Sequence, residues 1–460
     1  MNGAARALLG GTLVAIVTSF PFVFHLSEAL PGGAFDGPRQ LALWLPWQIQ
    51  ANVAAGYGPF DGRSFPLVGQ PLLGIVGNPG VAVLLAPLQA LAAPVLAWNL
   101  GILLLAVSNA VGAWWLASTV RRGSPWLAAL IVSGAWGWSQ LGAGQAAVGW
   151  LAPGLMAAVA SRRGHEKTAV VLGIVGGLTA PLPTAVCMVW LRRPVLFGLC
   201  LAAFVKFPPA GMAGELPGFT LASLSWLKAG GTVAVPLATL GLLALLAARK
   251  RAIFAAILAL VLIAAAGSAK VGEYVVSWPT FECPRYVVAA VSLGAFLLAL
   301  PYLRVRGPTA LLVAAFLAVE PTIQTHLGQP ALPWTGAVFK VPTVFSQFDP
   351  TRDGILLQLP FGGVTEGAVG WIPFHHRPIT GGPGETEEGI TRAAMRSAIS
   401  RDPVFQAASL ALESNEPVAL RGGWDWAILY GDDTQSRRRA RAVFGEPTTM
   451  EPGLWAWKLR

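Results

Sequence analysis

A single carboxylate, Asp36, stands in the stretch GGAFDGPRQ, in which glycine and proline predict a turn. The turn follows the first long apolar run of the chain and precedes the tryptophan- and leucine-rich segment RQLALWLPWQIQ, residues 39–50. A carboxylate in this place can act as a general base that takes the proton of an attacking hydroxyl group. An aspartate in a turn can also hydrogen-bond its own backbone, so both roles remain open for Asp36.

Three other acidic residues are candidates for the same polar region. Glu28 and Asp61 are the acids nearest to Asp36 along the chain, and Glu320 lies in the apolar run ALLVAAFLAVEP. A charge at the middle of a bilayer costs about 2.5–3.5 kcal/mol, so Glu320 faces either protein and water or, at a helix end, the headgroups. We expect these acids near the outer side of a membrane, where they could bind a polar substrate.

Two basic residues, Lys270 and Arg285, flank one loop, AKVGEYVVSWPTFECPRYVVAAV. Arg285 opens an apolar run, at the depth where a lipid phosphate lies, and its planar guanidinium matches phosphate oxygens. An ordinary headgroup anchor would look the same in the sequence. Both residues are therefore candidates for binding a phosphate group of a substrate or of a lipid.

The sequence indicates no cofactor. His375 and His376 are adjacent, but no third metal ligand follows at a recognisable spacing, so a divalent metal ion is not indicated. The glycines of GGPGE lack the strand and helix that a phosphate-binding loop requires. Three cysteines provide no disulfide framework.

Composition indicates the class of protein. Of the 460 residues, 54% are hydrophobic and 12% are charged, with a mean hydropathy of +0.59. Soluble domains contain about 25% charged residues. Repeated apolar runs near span length therefore predict an α-helical polytopic membrane protein. The first run lacks a convincing cleavage site, and we interpret it as an uncleaved helix.

Basic clusters orient the spans, because short cytoplasmic loops carry the excess of lysine and arginine. Placing every cluster inside predicts eleven spans, with the N-terminus inside and the C-terminus outside. Loop 26–93 stays outside, and its short apolar segment 79–92 is re-entrant or interfacial. Residues 39–56 resemble an interfacial helix on the membrane, with Trp44 and Trp47 at the headgroups. The predicted spans are 5–25, 94–120, 125–141, 145–161, 166–180, 181–191, 194–206, 231–248, 252–268, 285–303 and 307–325.

The chain changes character after the last span. Residues 1–330 contain 19 basic and 8 acidic side chains, whereas residues 331–460 contain 13 and 14. The basic excess is therefore a topology signal and not a nucleic-acid footprint. The sequence predicts two domains: a transmembrane domain at 1–325, and a small extracytoplasmic α/β domain at 326–460 with strands such as ILLQLPF and WAILYG.

The order of these motifs resembles the GT-C superfamily of polytopic glycosyltransferases, particularly a large bacterial group within it. The likeness covers nearly the whole chain by order and spacing. The matching features are Asp36 before RQLALWLPWQIQ, then GNPGVAVLLAPLQALAAPVLAWNLGILLLA, GAGQAAVGWLAPGL, FECPRYVVAAV with Arg285, FLAVEP with Glu320, and LLQLPFGG.

The resemblance implies a multi-pass enzyme of the bacterial inner membrane that takes a sugar from a polyprenyl phosphate or diphosphate at the outer leaflet, among membrane lipids. It implies that Asp36 is the general base or positions the acceptor. A cation such as Arg285 would then stabilise the leaving phosphate.

The chain departs from the family at two places, and these keep alternatives open. The loop carries only Asp36, and Glu282 stands where relatives often have another basic residue before the Pro-x-Arg motif. One alternative is a non-catalytic scaffold that anchors a cell-envelope machine through envelope protein partners. The other is a lipid flippase or transporter, although the sequence shows neither the internal repeats nor the paired broken helices typical of transporters.

Overall fold

The structure of the protein is a computed structural model. The chain folds into two compact units. Unit 1 contains Met1–Ala34 and Val95–Val338, and unit 2 contains Phe35–Pro94 and Phe339–Arg460. The residues that the structure describes are 3–20, 22–31, 37–64, 79–120, 124–133, 141–142, 144, 146–206, 268–271, 274–277, 293–294, 296–297, 300, 337–348, 355–359, 369–379, 401, 403–417, 424–431 and 433–459.

The regular elements are numbered along the chain. The helices are α1 (Gly3–Thr18), α2 (Gly37–Ala54), α3 (Gly80–Leu85), α4 (Pro94–Thr119), α5 (Pro125–Leu130), α6 (Ala146–Gly149), α7 (Ala152–Arg162), α8 (Glu166–Thr179), α9 (Pro181–Trp190), α10 (Pro194–Lys206), α11 (Ile372–His375), α12 (Pro403–Ser414) and α13 (Thr434–Phe444). The strands are β1 (Ala29–Leu30), β2 (Ser268–Val271), β3 (Tyr274–Ser277), β4 (Ala337–Val338), β5 (Ile355–Leu359), β6 (Trp424–Tyr430), β7 (Thr449–Glu451) and β8 (Leu454–Lys458).

Unit 1 is built mainly of apolar helices that carry large apolar side chains on their outer faces. Leu9 and Leu13 of α1 are 62% and 63% exposed, and Leu178 of α8 is 61% exposed. Among the described residues, α4, with 26 residues, is the one helix with the length and composition to cross a membrane. Shorter apolar helices are Gly3–Thr18, Gly80–Ala90 and Pro181–Trp190.

The predicted spans in the first half of unit 1 coincide with helices. Spans 5–25, 94–120, 166–180, 181–191 and 194–206 correspond to α1, α4, α8, α9 and α10. Span 125–141 begins with α5, and span 145–161 is divided between α6 and α7. The four later spans lie largely outside the described residues.

Asn109 of α4 supports the break between α6 and α7. Its Oδ1 accepts hydrogen bonds from the amides of Leu151 and Ala152, at 2.7 and 2.9 Å. Its Nδ2 donates to the carbonyl of Gly149 at 2.7 Å. Free amides at a buried helix start need an acceptor, and this fully buried side chain provides it. A helix interruption inside the apolar region is thereby satisfied without water.

Glycines allow α7, α8 and α9 to pack closely. A Cβ atom at Gly154 of α7 would lie 2.9 Å from Sγ of Cys187 in α9. A Cβ atom at Gly176 of α8 would lie 2.9 Å from Cβ of Pro153. Small residues at such crossings are typical of helix packing within membranes.

Unit 2 contains a four-stranded sheet with the order β5-β6-β8-β7. Strands β5 and β6 are parallel, and the other pairs are antiparallel. Along β5, Leu356 belongs to one buried cluster, whereas Leu357 and Leu359 belong to a second. Ala408 of α12 and Ala440 of α13 lie in the second cluster. Alternate side chains thus point to opposite faces, and both faces are covered.

The face of the sheet that Leu356 occupies is covered by α2, and α3 packs on α2 in turn. Both helices come from the loop 26–93 that the sequence analysis predicted to be external. Trp44, Leu45 and Ile49 of α2 share one cluster with Ile428 and Ala456 of the sheet. Unit 2 therefore combines residues 35–94, which the sequence analysis placed in the transmembrane domain, with the C-terminal region. A strand that is apolar on both faces needs a layer on each side, and the chain takes one layer from its N-terminal part.

The interpretation of Trp44 as a headgroup-level residue is wrong. The side chain is fully buried in the cluster with Phe345, Phe348 and Trp426. Trp47 is half-buried, and its ring lies 5.5 Å from the ring of His376. A tryptophan gains more from full burial in a protein core than from an interface, and the sheet offers that core.

Glu451 of β7 fastens the start of the C-terminal region to the sheet. Its carboxylate accepts hydrogen bonds from the amides of Thr343 and Val344, at 3.1 and 2.9 Å, and from Oγ1 of Thr343 at 2.9 Å. Partial desolvation would raise the pKa of Glu451, but these hydrogen bonds outweigh it and lower the pKa. The carboxylate thus caps the first turn of Thr343–Gln347 from a distant strand.

Glu451→Gln is expected to weaken this cap by about 1 kcal/mol, because the amide keeps one acceptor oxygen and loses the charge. Hydrogen exchange at the amides of Thr343 and Val344 should then be about fivefold faster. Glu446→Gln is the matched control, since Glu446 forms only an exposed ion pair with Arg441. Equal protection of these amides in all three proteins would show that Glu451 does not hold this turn.

Candidate functional site

The residues that lead into the Asp36 loop are held by α4. Nδ2 of Asn99 donates to the carbonyls of Leu26 and Ala29, at 2.6 and 2.7 Å. The side chain of Asn99 is fully buried, so the bond to Ala29 forms away from water. Strand β1 follows and pairs antiparallel with β4, with Ala29 opposite Val338. Of the three points at which the chain passes between the units, those after Ala34 and after Val338 therefore closely follow this small ribbon.

Asp36 itself lies outside the described residues, and α2 begins at the next position, Gly37. Pro38 suits the first turn of a helix, because its missing amide hydrogen would have no partner there. Arg39 and Gln40, also in this turn, are each 4% exposed. The candidate base thus directly precedes, in sequence, a helix whose first turn carries two buried polar side chains.

A buried polar network fixes the far end of α2 to the following loop. Nε2 of Gln48 donates to Oδ1 of Asn52 at 2.7 Å, and Oγ of Ser64 donates to Oε1 of Gln48 at 2.5 Å. Nδ2 of Asn52 donates to the carbonyl of Asp61 at 2.9 Å. The amide of Ile379 donates to the carbonyl of Ser64 at 3.0 Å. The loop after α2 is therefore tied both to that helix and to the C-terminal region.

Asp61 has a structural partner in this loop. Its Oδ1 accepts a hydrogen bond from the amide of Arg63 at 3.0 Å, which is an Asx turn. The guanidinium of Arg63 lies 4.3 Å from the ring centroid of Tyr57. These contacts give the carboxylate of Asp61 a role in turn formation.

The other candidate residues are not brought into one described site. Glu28 is exposed, and its Oε2 lies 3.9 Å from Nδ1 of His25. Lys270 lies in β2, opposite Val275 of β3. Arg285 and Glu320 are outside the described residues. The structure therefore places Glu28, Asp61 and the backbone of Lys270, and it does not test the proposed cluster.

Of the two adjacent histidines, His375 is buried in the core of unit 2, whereas His376 is exposed. Nδ1 of His375 accepts a hydrogen bond from the amide of Arg377 at 3.1 Å, and the ring packs 5.1 Å from that of Phe345. Burial, with smaller contributions from His376 and Arg377, lowers the pKa of His375 to about 3. Burial also lowers the pKa of His376. In the part of the chain that the structure describes, no group of three or more His, Cys, Asp or Glu residues could hold a metal ion.

The neutral state of buried His375 makes the stability of unit 2 depend on pH. Between pH 6.5 and about 3, the unfolded chain binds a proton at His375 that the folded unit does not. Stability should therefore fall as the pH falls below about 6.5, by up to about 1.4 kcal/mol per pH unit. His375→Gln should flatten this slope in thermal unfolding at pH 4 to 7, whereas an unchanged slope would contradict the burial of a neutral ring.

Sequence reasoning missed the positioning residues Asn99, Asn109, Gln48 and Asn52. Each is an amide side chain in an apolar or mixed helix, where a buried amide must satisfy its hydrogen bonds. An amide side chain in an apolar helix indicates that a hydrogen-bond partner exists, but the sequence does not indicate which backbone group is that partner. The use of α2 as a layer on the C-terminal sheet was also missed.

The sequence was compared with protein families, curated proteins and solved structures. No protein-family model matches the sequence. No curated protein matches it significantly.

Among solved structures, the arabinofuranosyltransferase AftD from mycobacteria is similar, with a TM-score of 0.52 and 16% sequence identity. The likeness covers 99% of this chain and 40% of the AftD chain, so this protein spans less than half of that structure. This similarity shows that the mostly helical chain shares the fold of the corresponding part of the AftD structure.

Proposed function

We propose that the protein is a membrane glycosyltransferase that transfers a sugar from a polyprenyl-phosphate-linked donor at the outer leaflet. The observation that carries the proposal is the likeness, over 99% of the chain, to the mycobacterial arabinofuranosyltransferase AftD. The order of motifs around Asp36, Arg285 and Glu320 supports the same class of reaction. The proposal assigns no cofactor.

In the proposed reaction, a hydroxyl oxygen of the acceptor attacks C1 of the sugar. The bond between C1 and the phosphate oxygen breaks, and the polyprenyl phosphate leaves with the electron pair. Asp36 takes the proton of the attacking hydroxyl, which is the role of a general base. Helix α2 begins at Gly37, the residue directly after Asp36 in the sequence.

Arg285 and Lys270 are proposed to bind the phosphate of the donor and of the leaving polyprenyl phosphate. A guanidinium can bind two phosphate oxygens, and an ammonium adds a point charge. Positive charge that meets the developing charge of the leaving group lowers the barrier. Lys270 lies in the described hairpin of β2 and β3, whose connection to Arg285 is short in sequence.

Glu28, Asp61 and Glu320 are proposed to bind polar groups of the sugar or the acceptor. Carboxylates accept hydrogen bonds from sugar hydroxyl groups. Glu28 is exposed beside the anchored segment that Asn99 holds. Asp61 is the member of this group whose Oδ1 already accepts a hydrogen bond from its own loop.

A lipid analysis tests donor binding without knowledge of the sugar. Wild-type protein purified in mild detergent should carry polyprenyl phosphate or its sugar conjugate, detected by mass spectrometry after solvent extraction. Arg285→Gln should reduce the amount of bound lipid at least tenfold, because it removes the positive charge and the guanidinium group that binds two phosphate oxygens. Arg438→Gln, on the exposed face of α13, is the matched control and should bind as much as the wild type. Equal retention in all three proteins would contradict the role of Arg285.

The non-catalytic scaffold is the second candidate. It is favoured by the single acid of the Asp36 loop and by Glu282 at a position where relatives often carry a basic residue. Both departures weaken a catalytic site and leave the fold intact. A scaffold would bind envelope proteins through unit 2 and would not consume a donor.

The proposed location is the bacterial inner membrane, with eleven spans and an extracytoplasmic C-terminus. A reporter enzyme that is active only outside the cytoplasm should be active when fused after Arg460. The same reporter should be silent when fused after Arg122, within a predicted cytoplasmic cluster. The opposite result at either position would overturn the orientation.

A further inference from the structure

The segment from Gly80 to Leu91 has an unusual composition for a surface segment of unit 2. It comprises α3 and the 3₁₀ turn Ala86–Ala90, and it contains no charged residue. Its one polar side chain, Gln89, is 8% exposed and so turns inwards. The outer surface of this segment is therefore entirely apolar.

One face of the segment is used for packing within unit 2. Val81, Ala82, Leu85 and Ala86 are buried, at 4% to 9% exposure. Ala82 and Ala86 share a cluster with Trp44 of α2. This contact explains half of the apolar character of the segment and leaves the other half unexplained.

The opposite face, which we name the 80s face, consists of Val83, Leu84 and Leu91. These side chains are 45%, 49% and 80% exposed. A helix that is apolar on both faces is stable only where neither face meets water. The protein core supplies the environment of one face, so the 80s face requires a second apolar environment.

The chain itself indicates what that environment is. Two residues separate Leu91 from Pro94, where α4 begins. Three residues span at most about 11 Å, so Leu91 lies within that distance of the start of the helix that can cross a membrane. A bilayer surface at this depth offers the border between headgroups and acyl chains.

We propose that the 80s face inserts into the acyl-chain border of the phospholipid bilayer and holds unit 2 against the membrane surface. The lipid contact is thereby assigned to the segment 79–92, which the sequence analysis predicted to be re-entrant or interfacial, and not to Trp44 and Trp47. Helix α2 lies between this lipid contact and the sheet, since α3 and the following turn pack on α2. The polar first turn of α2 would then be held near the headgroups, at the depth of a lipid-linked substrate.

Photoactivatable lipid tests this contact in the wild-type protein. The chain is reconstituted in vesicles of phosphatidylcholine that carries a diazirine on the acyl chain, irradiated, digested with pepsin and mapped by mass spectrometry. Lipid adducts are expected on residues 80–91 and on α1. Adducts should be several-fold fewer on 403–414 and 449–451, although Leu410 and Met450 there are 65% and 62% exposed.

Nitroxide spin labels provide the matched comparison. Single cysteines replace Leu84, Leu91, Leu410 or Met450 in a protein in which Cys187, Cys200 and Cys283 are alanine. For each label, the accessibility to oxygen, which concentrates in lipid, is divided by the accessibility to a water-soluble nickel chelate. This ratio should be several-fold higher for labels at positions 84 and 91 than for labels at 410 and 450.

Three results would overturn the proposal. Labels at 84 and 91 that are as accessible to the nickel chelate as those at 410 and 450 would place the 80s face in water. Lipid adducts distributed equally over all four segments would show no selective insertion. Spin labels at 84 and 91 that broaden each other between molecules would indicate a second copy of the chain as the occupant. Because no readout depends on sugar transfer, these results are independent of the proposed activity.

Discussion

Asp36→Asn is expected to lower the rate of sugar transfer by about 10²–10⁴-fold, the usual contribution of a general base. The substitution preserves the size of the side chain and one oxygen but removes the negative charge and the proton-accepting oxygen. The rate is measured with the purified protein in proteoliposomes, at equal protein level. Binding of the polyprenyl-linked donor should change little, because the base acts on the acceptor.

Asp433→Asn provides the control for a purely structural aspartate. Asp433 caps α13, since its carboxylate accepts hydrogen bonds from the amides of Gln435 and Ser436 at 3.3 and 2.8 Å. Asparagine caps helices as well as aspartate does, so this variant should retain wild-type activity. If Asp36 only caps its turn or the start of α2, Asp36→Asn will behave like Asp433→Asn. Equal activity of the two variants would remove Asp36 from the reaction.

Arg377→Leu is expected to destabilise unit 2 by about 3–5 kcal/mol, because it leaves the charge of Asp425 without its partner. Nη2 of Arg377 forms an ion pair with Oδ2 of Asp425 at 2.5 Å, and the two side chains are 2% and 12% exposed. The pair lies at the start of β6, next to the cluster that joins α2 to the sheet. Thermal unfolding in detergent, followed by the tryptophan fluorescence of unit 2, measures the loss.

The double variant Arg377→Leu/Asp425→Leu tests the cause of this loss. Replacing both charges with apolar side chains removes the unpaired carboxylate, so the double variant should recover much of the stability. The exposed pair Arg441–Glu446 is the matched control, and its removal should change stability by about 1 kcal/mol or less. A double variant that is as unstable as Arg377→Leu would show that packing, and not charge, accounts for the loss.

The periodic elements of the fold could be predicted from the sequence. The apolar runs that begin at Pro94, Glu166, Pro181 and Pro194 became helices with nearly the predicted limits. Strands β5 and β6 also lie where the apolar runs ILLQLPF and WAILYG predicted strands. These elements depend on local pattern, and local pattern is visible in a sequence.

The assembly of unit 2 could not be predicted in the same way. Helix α2 and β5 are about 300 residues apart, and the apolar side chains of α2 suit a lipid surface as well as a sheet. One signal was available, since ILLQL and WAILY are apolar at nearly every position and thus require cover on both faces. The candidate site was predictable only as a set of residue types, because Asp36, Arg285 and Glu320 are far apart in the chain.

One measurement tests the proposed activity most directly. Wild-type protein in proteoliposomes is given a set of labelled polyprenyl-phosphate sugars and a mixture of envelope glycan acceptors. The account predicts that, for one donor, sugar appears in the acceptor and free polyprenyl phosphate appears in equal amount. Intact donor across the whole set, with the protein folded and the lipid bound, would contradict a glycosyltransferase and favour the scaffold.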